Sequence, residues 1–305
     1  MIFVWFSLLL SLIQYSIAPN ALVGSIENGL SSMIAIPKQN KVAYDNSKYI
    51  PVPELKTGAV SYSAPAKAAL IYDVTSGKLM YAKSENDQLP MASLTKLMTA
   101  MVIMQNHSPS ETVTIPSGLP ELGPLDEKIG IAEKEQFRLS DLMQALLIYS
   151  ANDVANALAV WDAGSVNAFT AKMNDYASQW KLTNSHYTNA TGLDSLNHYS
   201  SASDLGVLSN VLLHDEKFRT IINTPSATIY DQAGKPYKFN TTNKDLVLPY
   251  VYGIKTGLTD DAGQCLILLA QRNGHEIMTV VLNSPDRFQE SKNMVEYAFN
   301  NYIWK

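Results

Sequence analysis

Three short elements of this chain contain residue types that together could carry out acyl transfer. In PMASLTKLMTA, Ser93 and Lys96 stand three residues apart at the start of an apolar run, one helical turn apart and on one face. A serine hydroxyl is a poor nucleophile near neutral pH and needs a base within hydrogen-bond reach. A lysine can be that base when burial or a second cation lowers its pKa. Backbone N–H groups and the dipole at a helix start also favour a developing anion. In YSAND, Ser150 and Asn152 lie two residues apart at the junction of two helical segments, where both side chains can face one cleft. In GIKTGLTDDAG, Lys255, Thr256 and Gly257 precede a strand-like run. A lysine, a hydroxyl and a glycine that admits a ligand backbone suit recognition of a carboxylate next to a peptide bond. Each element alone is common. Serine and asparagine are ordinary helix caps, and a second Lys-Thr-Gly stands at Lys56, Thr57 and Gly58. That copy precedes Ser93, has no strand pattern before it, and is given no role. The specificity lies in the order Ser-x-x-Lys, Ser-x-Asn, Lys-Thr-Gly.

The elements that must hold these residues are legible in the hydrophobic pattern. ALIYDV from Ala68, the turn TSGK and LMYA predict a β-hairpin. Cys265 to Gln271 and Glu276 to Leu282 predict another around Asn273-Gly274, a dipeptide suited to a type I′ turn. Between them, Leu94 to Gln105, Leu139 to Tyr149 and Asp153 to Trp161 are rich in Leu, Met and Ala and read as helices. Asp286 opens a last helix with Met294, Val295, Ala298 and Phe299 on one face. Strands at both ends around a helical middle give an α+β class. Residues 21–64, punctuated by Pro37, Pro51 and Pro53, show no sustained period and read as an extended arm. One catalytic domain is therefore expected over residues 65–305.

Composition removes several function classes. The 305 residues are 46% hydrophobic and 17% charged, as in a globular protein with a full core. With 23 Lys and Arg against 28 acids, the net charge is −5, and no basic field exists to hold a nucleic acid. The lone cysteine, Cys265, excludes an internal disulfide and a zinc site built on cysteine pairs. It is expected to pack in a strand as a small apolar group. His107, His186, His198, His214 and His275 show no metal-ligand spacing and no triad partner, so no metal or other cofactor is expected. Residues Ile2 to Ile13 are apolar apart from two serines. A run of about 12 residues matches a signal-peptide core and falls short of the roughly 20 that span a bilayer. Export is expected, with residues 1–20 either cleaved or kept as an anchor.

On these motifs the chain resembles the low-molecular-mass penicillin-binding proteins of the D-alanyl-D-alanine carboxypeptidase type, which are serine DD-peptidases. The likeness runs from about Ala66 to Tyr302 and includes IYDVTSGKLMYAKSENDQLPMAS, ANDVANALA, HYTNATGLD, TTNKDL and the C-terminal hairpin. It implies a penicilloyl-serine-transferase, β-lactamase-like fold, with an antiparallel sheet packed against helices and a helical subdomain; the C-terminal β-domain that many relatives carry is not expected here, because the sequence stops at Lys305. It also implies Ser93 as the acylated nucleophile and Lys96 as its general base. Ser150 would relay a proton to the leaving D-alanine, and Asn152 would hydrogen-bond the substrate's peptide carbonyl. Lys255 and Thr256, followed by Gly257, would bind the terminal carboxylate. The backbone N–H groups of Ser93 and Leu258 would form the oxyanion hole; several relatives carry a polar or aromatic residue where Leu258 stands. The implied partner is a peptidoglycan stem peptide ending in D-Ala-D-Ala, with β-lactams as covalent inhibitors. The implied location is outside the cytoplasmic membrane of a bacterium, and any membrane attachment is expected through the N-terminal apolar segment only. A DD-endopeptidase cutting cross-links shares every motif, and a non-catalytic penicillin- or muropeptide-binding domain is the third reading. No glutamate lies between Glu135 and Glu216. The deacylating glutamate of class A β-lactamases thus has no counterpart, and a penicilloyl adduct is expected to hydrolyse slowly.

Overall fold

A computed structural model describes residues 50–305. The apolar segment 1–20 and residues 21–49 of the arm lie outside the described residues. In chain order the elements begin with β1 (Pro53–Leu55), β2 (Ala68–Asp73), β3 (Leu79–Lys83), a 3-10 turn (Ala92–Thr95) and α1 (Lys96–Asn106). Then come β4 (Thr112–Thr114), β5 (Gln136–Arg138) and α2 (Leu139–Gln144), which runs into a π turn (Ala145–Tyr149). The middle continues with α3 (Asn152–Ala163), α4 (Val166–Gln179), α5 (Ala202–Leu212) and α6 (Glu216–Ile222). The last part is β6 (Ser226–Tyr230), β7 (Pro236–Asn240), β8 (Val251–Thr259), β9 (Gly263–Arg272), β10 (His275–Ser284), α7 (Arg287–Asn301) and β11 (Tyr302–Trp304).

The central sheet has the order β3-β2-β10-β9-β8, antiparallel throughout. Of its three hairpins, β2-β3 and β9-β10 are those the sequence predicts and β8-β9 is added by the structure; Asn273 and Gly274 are both left-handed, at φ 53° and 80°. Successive strand residues face opposite sides of a sheet. Cys265, Ile267 and Leu269 of β9 therefore join the core beneath the helical region, while Leu266, Leu268 and Ala270 pack with Met294, Val295 and Ala298 of α7. With both faces covered, the strand reads as a continuous apolar run. On the helical side, α1 is buried at every residue from Lys96 to Ile103, as a helix that is apolar all round must be. It packs against α3, α4 and α5. The centre of the helical region thus delivers the one charged residue of that stretch, Lys96, into the dry interior.

The arm expected through Ala64 is not featureless over its described end. Pro53, Glu54 and Leu55 pair with Trp304, Ile303 and Tyr302, so β1 and β11 form a two-stranded sheet. Three residues are too few to show a period, and the pairing partner lies at the far end of the chain. Lys56 of the second Lys-Thr-Gly donates from Nζ to the Asn300 carbonyl at 2.6 Å, which ties this copy to the end of α7.

Candidate active site

Ser93 occupies the 3-10 turn that opens α1, and Lys96 is the first residue of that helix. The turn brings Lys96 Nζ to 2.9 Å from Ser93 Oγ. Asn152, first residue of α3, puts its Oδ1 2.7 Å from the same nitrogen, and the Thr191 carbonyl lies at 2.6 Å. Lys96 is fully buried, and its pKa falls well below the ordinary lysine value. Burial is the largest cause and repulsion from Lys255 the next, with Glu127, Asp126 and Asp153 opposing both. A neutral amine has two hydrogens and one lone pair. Nζ donates to Ser93 Oγ, Asn152 Oδ1 and the Thr191 carbonyl here, and in the neutral form, with the latter two taking its hydrogens, the lone pair would face the Ser93 hydroxyl.

Ser150 joins the π turn to α3 through a left-handed backbone at φ 71°. It is 2% exposed, and its Oγ has no hydrogen-bond partner among the described residues. The hydroxyl therefore bonds to neither lysine directly. Buried polar groups without a partner are uncommon in native proteins, and a hydroxyl beside Asn152 is open to one supplied by a ligand.

Lys255, Thr256, Gly257 and Leu258 lie on β8, the edge strand of the sheet. Lys255 is fully buried with its Nζ 3.0 Å from the Thr256 carbonyl, and burial lowers its pKa to about 7. Glu127 opposes this shift and the Arg287 guanidinium adds to it. Thr256 Oγ1 lies 2.6 Å from Thr242 Oγ1. Gly257 is a close approach: a Cβ there would lie 2.9 Å from the Met91 carbonyl oxygen and 3.2 Å from the Ser93 nitrogen. The bare backbone lets β8 run against the nucleophile turn. Leu258 extends its side chain into solvent, 60% exposed.

Several residues of this cleft escaped the motif reading. Thr191 offers only its carbonyl, which no side-chain motif can signal. Gly192 lies against the turn so closely that a Cβ would sit 2.0 Å from the Ala92 oxygen. Thr242 belongs to the TTNKDL stretch, yet its hydroxyl contact with Thr256 depends on the fold. Arg287, first residue of α7, donates from Nη1 to the Gly257 carbonyl, and its buried Nε has no partner among the described residues. Asp194 accepts from Thr259 Oγ1 at 2.6 Å and from the Asp261 backbone N–H at 3.1 Å, joining the segment after Gly192 to the end of β8. The Asp153 carboxylate takes the N–H groups of Ile129, Gly130 and Ile131 at 3.3, 2.8 and 3.2 Å, and the Asn152 N–H donates to the Glu127 carbonyl at 2.7 Å. These bonds hold the loop between β4 and β5 against the Ser-x-Asn element. Cys265 is wholly buried, and burial raises its thiol pKa to about 11. No group of three or more His, Cys, Asp or Glu among the described residues is arranged to hold a metal ion.

A family model described as D-alanyl-D-alanine carboxypeptidase matches residues 35–286. The chain belongs to that family. Among family members it is similar to the D-alanyl-D-alanine carboxypeptidase DacF of Bacillus subtilis, with 29% identity over 246 residues. That match covers 78% of this chain and 63% of the relative, so the chain spans under two thirds of the carboxypeptidase's length. It is also similar to a D-alanyl-D-alanine endopeptidase of Pseudomonas aeruginosa, 31% identical over 249 residues, covering 74% of this chain and 77% of the relative. Among solved structures it is similar to penicillin-binding protein D2 of Listeria monocytogenes in its ampicillin-bound form. The TM-score is 0.68 at 28% identity, covering 79% of this chain and all of that one. The fold is that of the D-alanyl-D-alanine carboxypeptidase family's penicillin-binding proteins, as the resemblance implied.

Proposed function

We propose that this protein is a serine D-alanyl-D-alanine carboxypeptidase, removing the terminal D-alanine from peptidoglycan stem pentapeptides through an acyl-enzyme on Ser93. The observation that carries the reading is the buried Lys96 amine, its pKa well below the ordinary value, 2.9 Å from Ser93 Oγ. In acylation the Ser93 proton passes to Lys96 Nζ as Oγ bonds to the carbonyl carbon of the penultimate D-alanine. The oxyanion is held by the N–H groups of Ser93 and Leu258, which the Gly257 close approach supports. Asn152, its Oδ1 engaged with Lys96, has its amide nitrogen free to donate to the peptide carbonyl of the acyl chain. The unpartnered Ser150 hydroxyl carries the proton from Lys96 to the departing amine as the C–N bond breaks. The leaving D-alanine carboxylate is met by Thr256, by the Lys255 ammonium and by the Arg287 side chain at the same strand. Water then hydrolyses the ester and returns Ser93 to its starting state.

A binding module would gain nothing from burying a lysine where its charge is disfavoured, and that cost favours the enzyme reading. Cleavage of cross-links would use the same steps up to the acyl-enzyme, and similarity to a protein named as an endopeptidase keeps that reaction in the test. β-Lactams would acylate Ser93. Action outside the cytoplasmic membrane, by export through the N-terminal apolar segment with or without its retention as an anchor, fits a cell-wall substrate. The deciding experiment incubates the full chain with a stem pentapeptide and with a cross-linked dimer, measuring released D-alanine against split dimer. Rapid D-alanine release from the pentapeptide with a slower dimer reaction is expected. Preferential dimer cleavage would reverse the assignment, and no turnover of either substrate would overturn it.

A further inference from the structure

His198 is buried, 5% exposed, and no step above uses it. Its Nδ1 accepts the backbone N–H of Thr188 at 3.0 Å, which requires a lone pair on that nitrogen. The ring is therefore neutral and carries its hydrogen on Nε2. Burial acts in the same direction, lowering the pKa to about 4. Nε2 lies 2.7 Å from Thr95 Oγ1, and that hydroxyl lies 2.8 Å from the Ala92 carbonyl oxygen. The carbonyl can only accept, so Thr95 gives its single hydrogen to Ala92 and accepts from His198. Two hydrogen bonds thus run in one direction, each polarising the next.

The far end of this chain is part of the reaction site. The Ala92 carbonyl and the Ser93 N–H belong to one planar peptide unit, so fixing the direction of the carbonyl fixes the direction of the N–H. Ala92 has φ +50°, a region that non-glycine residues seldom occupy without support from their surroundings. Gly192 closes on the same carbonyl from another side. We propose that His198 is a positioning residue, aiming the Ser93 N–H of the oxyanion hole through the Thr95 hydroxyl and the Ala92–Ser93 peptide. This rests on the reading of Ser93 as nucleophile and of its N–H as an oxyanion donor. His198 escaped the sequence reading because it has neither metal-ligand spacing nor a triad partner, and its contact with Thr95, 103 residues away, depends on the fold.

The test separates noncovalent affinity from the acylation rate constant, using a fluorescent penicillin with the full chain and with Ser93→Ala, Thr95→Val, His198→Leu, Thr95→Val/His198→Leu and His198→Gln variants. Thr95→Val and His198→Leu should each slow acylation about tenfold at unchanged noncovalent affinity, the size expected for losing one orienting hydrogen bond. The double variant should be no slower than either single one, because both act on the same peptide. His198→Gln supplies an oxygen for Thr188 and an N–H for Thr95 and should recover most of the rate. Additive losses, a loss confined to noncovalent affinity, or a wild-type rate in Thr95→Val would each overturn the proposal. If His198→Leu does not fold, Thr95→Val and His198→Gln decide it by those same criteria. Labelling that survives in Ser93→Ala overturns the nucleophile reading and the proposal with it. Labelling lost in Ser93→Ala, beside an unimpaired Thr95→Val, overturns the proposal alone.

Discussion

Replacing Gly192 with alanine puts a methyl group where the nucleophile turn already stands. The added Cβ would lie 2.0 Å from the Ala92 oxygen, 2.4 Å from its carbonyl carbon and 2.9 Å from the Ser93 nitrogen, against 3.4 Å or more for ordinary contact. Backbone must give way by roughly 1 Å, and the peptide that moves is the one carrying the Ser93 N–H. A displacement of about 1 Å in a catalytic constellation costs on the order of 100-fold in rate. Gly192 also has φ +89°, which for alanine costs about 1–2 kcal/mol. For a domain of this size that strain lowers the thermal midpoint by roughly 2–8 °C. Gly234→Ala separates the two effects: φ there is +87°, but nothing lies within 4 Å of the added Cβ. Both variants should therefore show a depressed midpoint by calorimetry. In time courses with a fluorescent penicillin, Gly192→Ala alone should acylate about 100-fold more slowly. Near wild-type acylation in Gly192→Ala, or an equal loss in Gly234→Ala, would refute the reasoning.

The carboxylate recognition proposed for Lys255 requires its ammonium form, which burial restricts to pH below about 7. The kcat/KM for a pentapeptide, which reports the free enzyme, should therefore fall above about pH 7, and a profile flat to pH 9 would contradict this. The same burial destabilises the fold. Between a folded pKa of about 7 and the ordinary 10.5, the unfolded chain binds more protons, so wild-type stability rises with pH across that window. At about 1.4 kcal/mol per pH unit the total reaches on the order of 5 kcal/mol. Lys255→Met should consequently melt higher than wild type at pH 6.5 while losing peptidase activity, with the gap closing towards pH 10; a variant that melts lower at both pH values would count against it. Asp153→Ala leaves the N–H groups of Ile129, Gly130 and Ile131 without their acceptor. It should cost about 1.5–3 kcal/mol and speed tryptic cleavage after Lys128, and unchanged cleavage would show that the carboxylate does not hold the loop.

Local pattern explains what the sequence made legible. The two hairpins declare themselves through alternating apolar runs around TSGK and Asn273-Gly274, and α1 through its unbroken apolar face. The three motifs fall on α1, on the junction before α3 and on the edge strand β8, and the fold brings Ser93, Lys96 and Asn152 within hydrogen-bond distance. What stayed hidden depends on residues far apart in sequence or on atoms that every residue possesses. The Thr191 carbonyl is backbone, and its acceptance of Lys96 follows from how the segment after α4 returns over α1. Gly192 could have been any turn glycine until the Ala92 carbonyl is seen against it. β1 is too short to show a period and forms only because β11 is there to pair with it. Arg287 is the first residue after the cap of a helix whose start was foreseen, yet its reach to Gly257 joins two elements that the pattern alone does not relate.

Ser93 as the residue that forms the acyl-enzyme is tested most directly by mass spectrometry after brief exposure to benzylpenicillin. With no glutamate between Glu135 and Glu216 to drive hydrolysis, the adduct should persist long enough to digest and map. It should appear on the tryptic peptide from Ser84 to Lys96, fragment to Ser93, and be absent from Ser93→Ala. An adduct on any other residue, or an unmodified protein that nonetheless hydrolyses the antibiotic, would contradict the account.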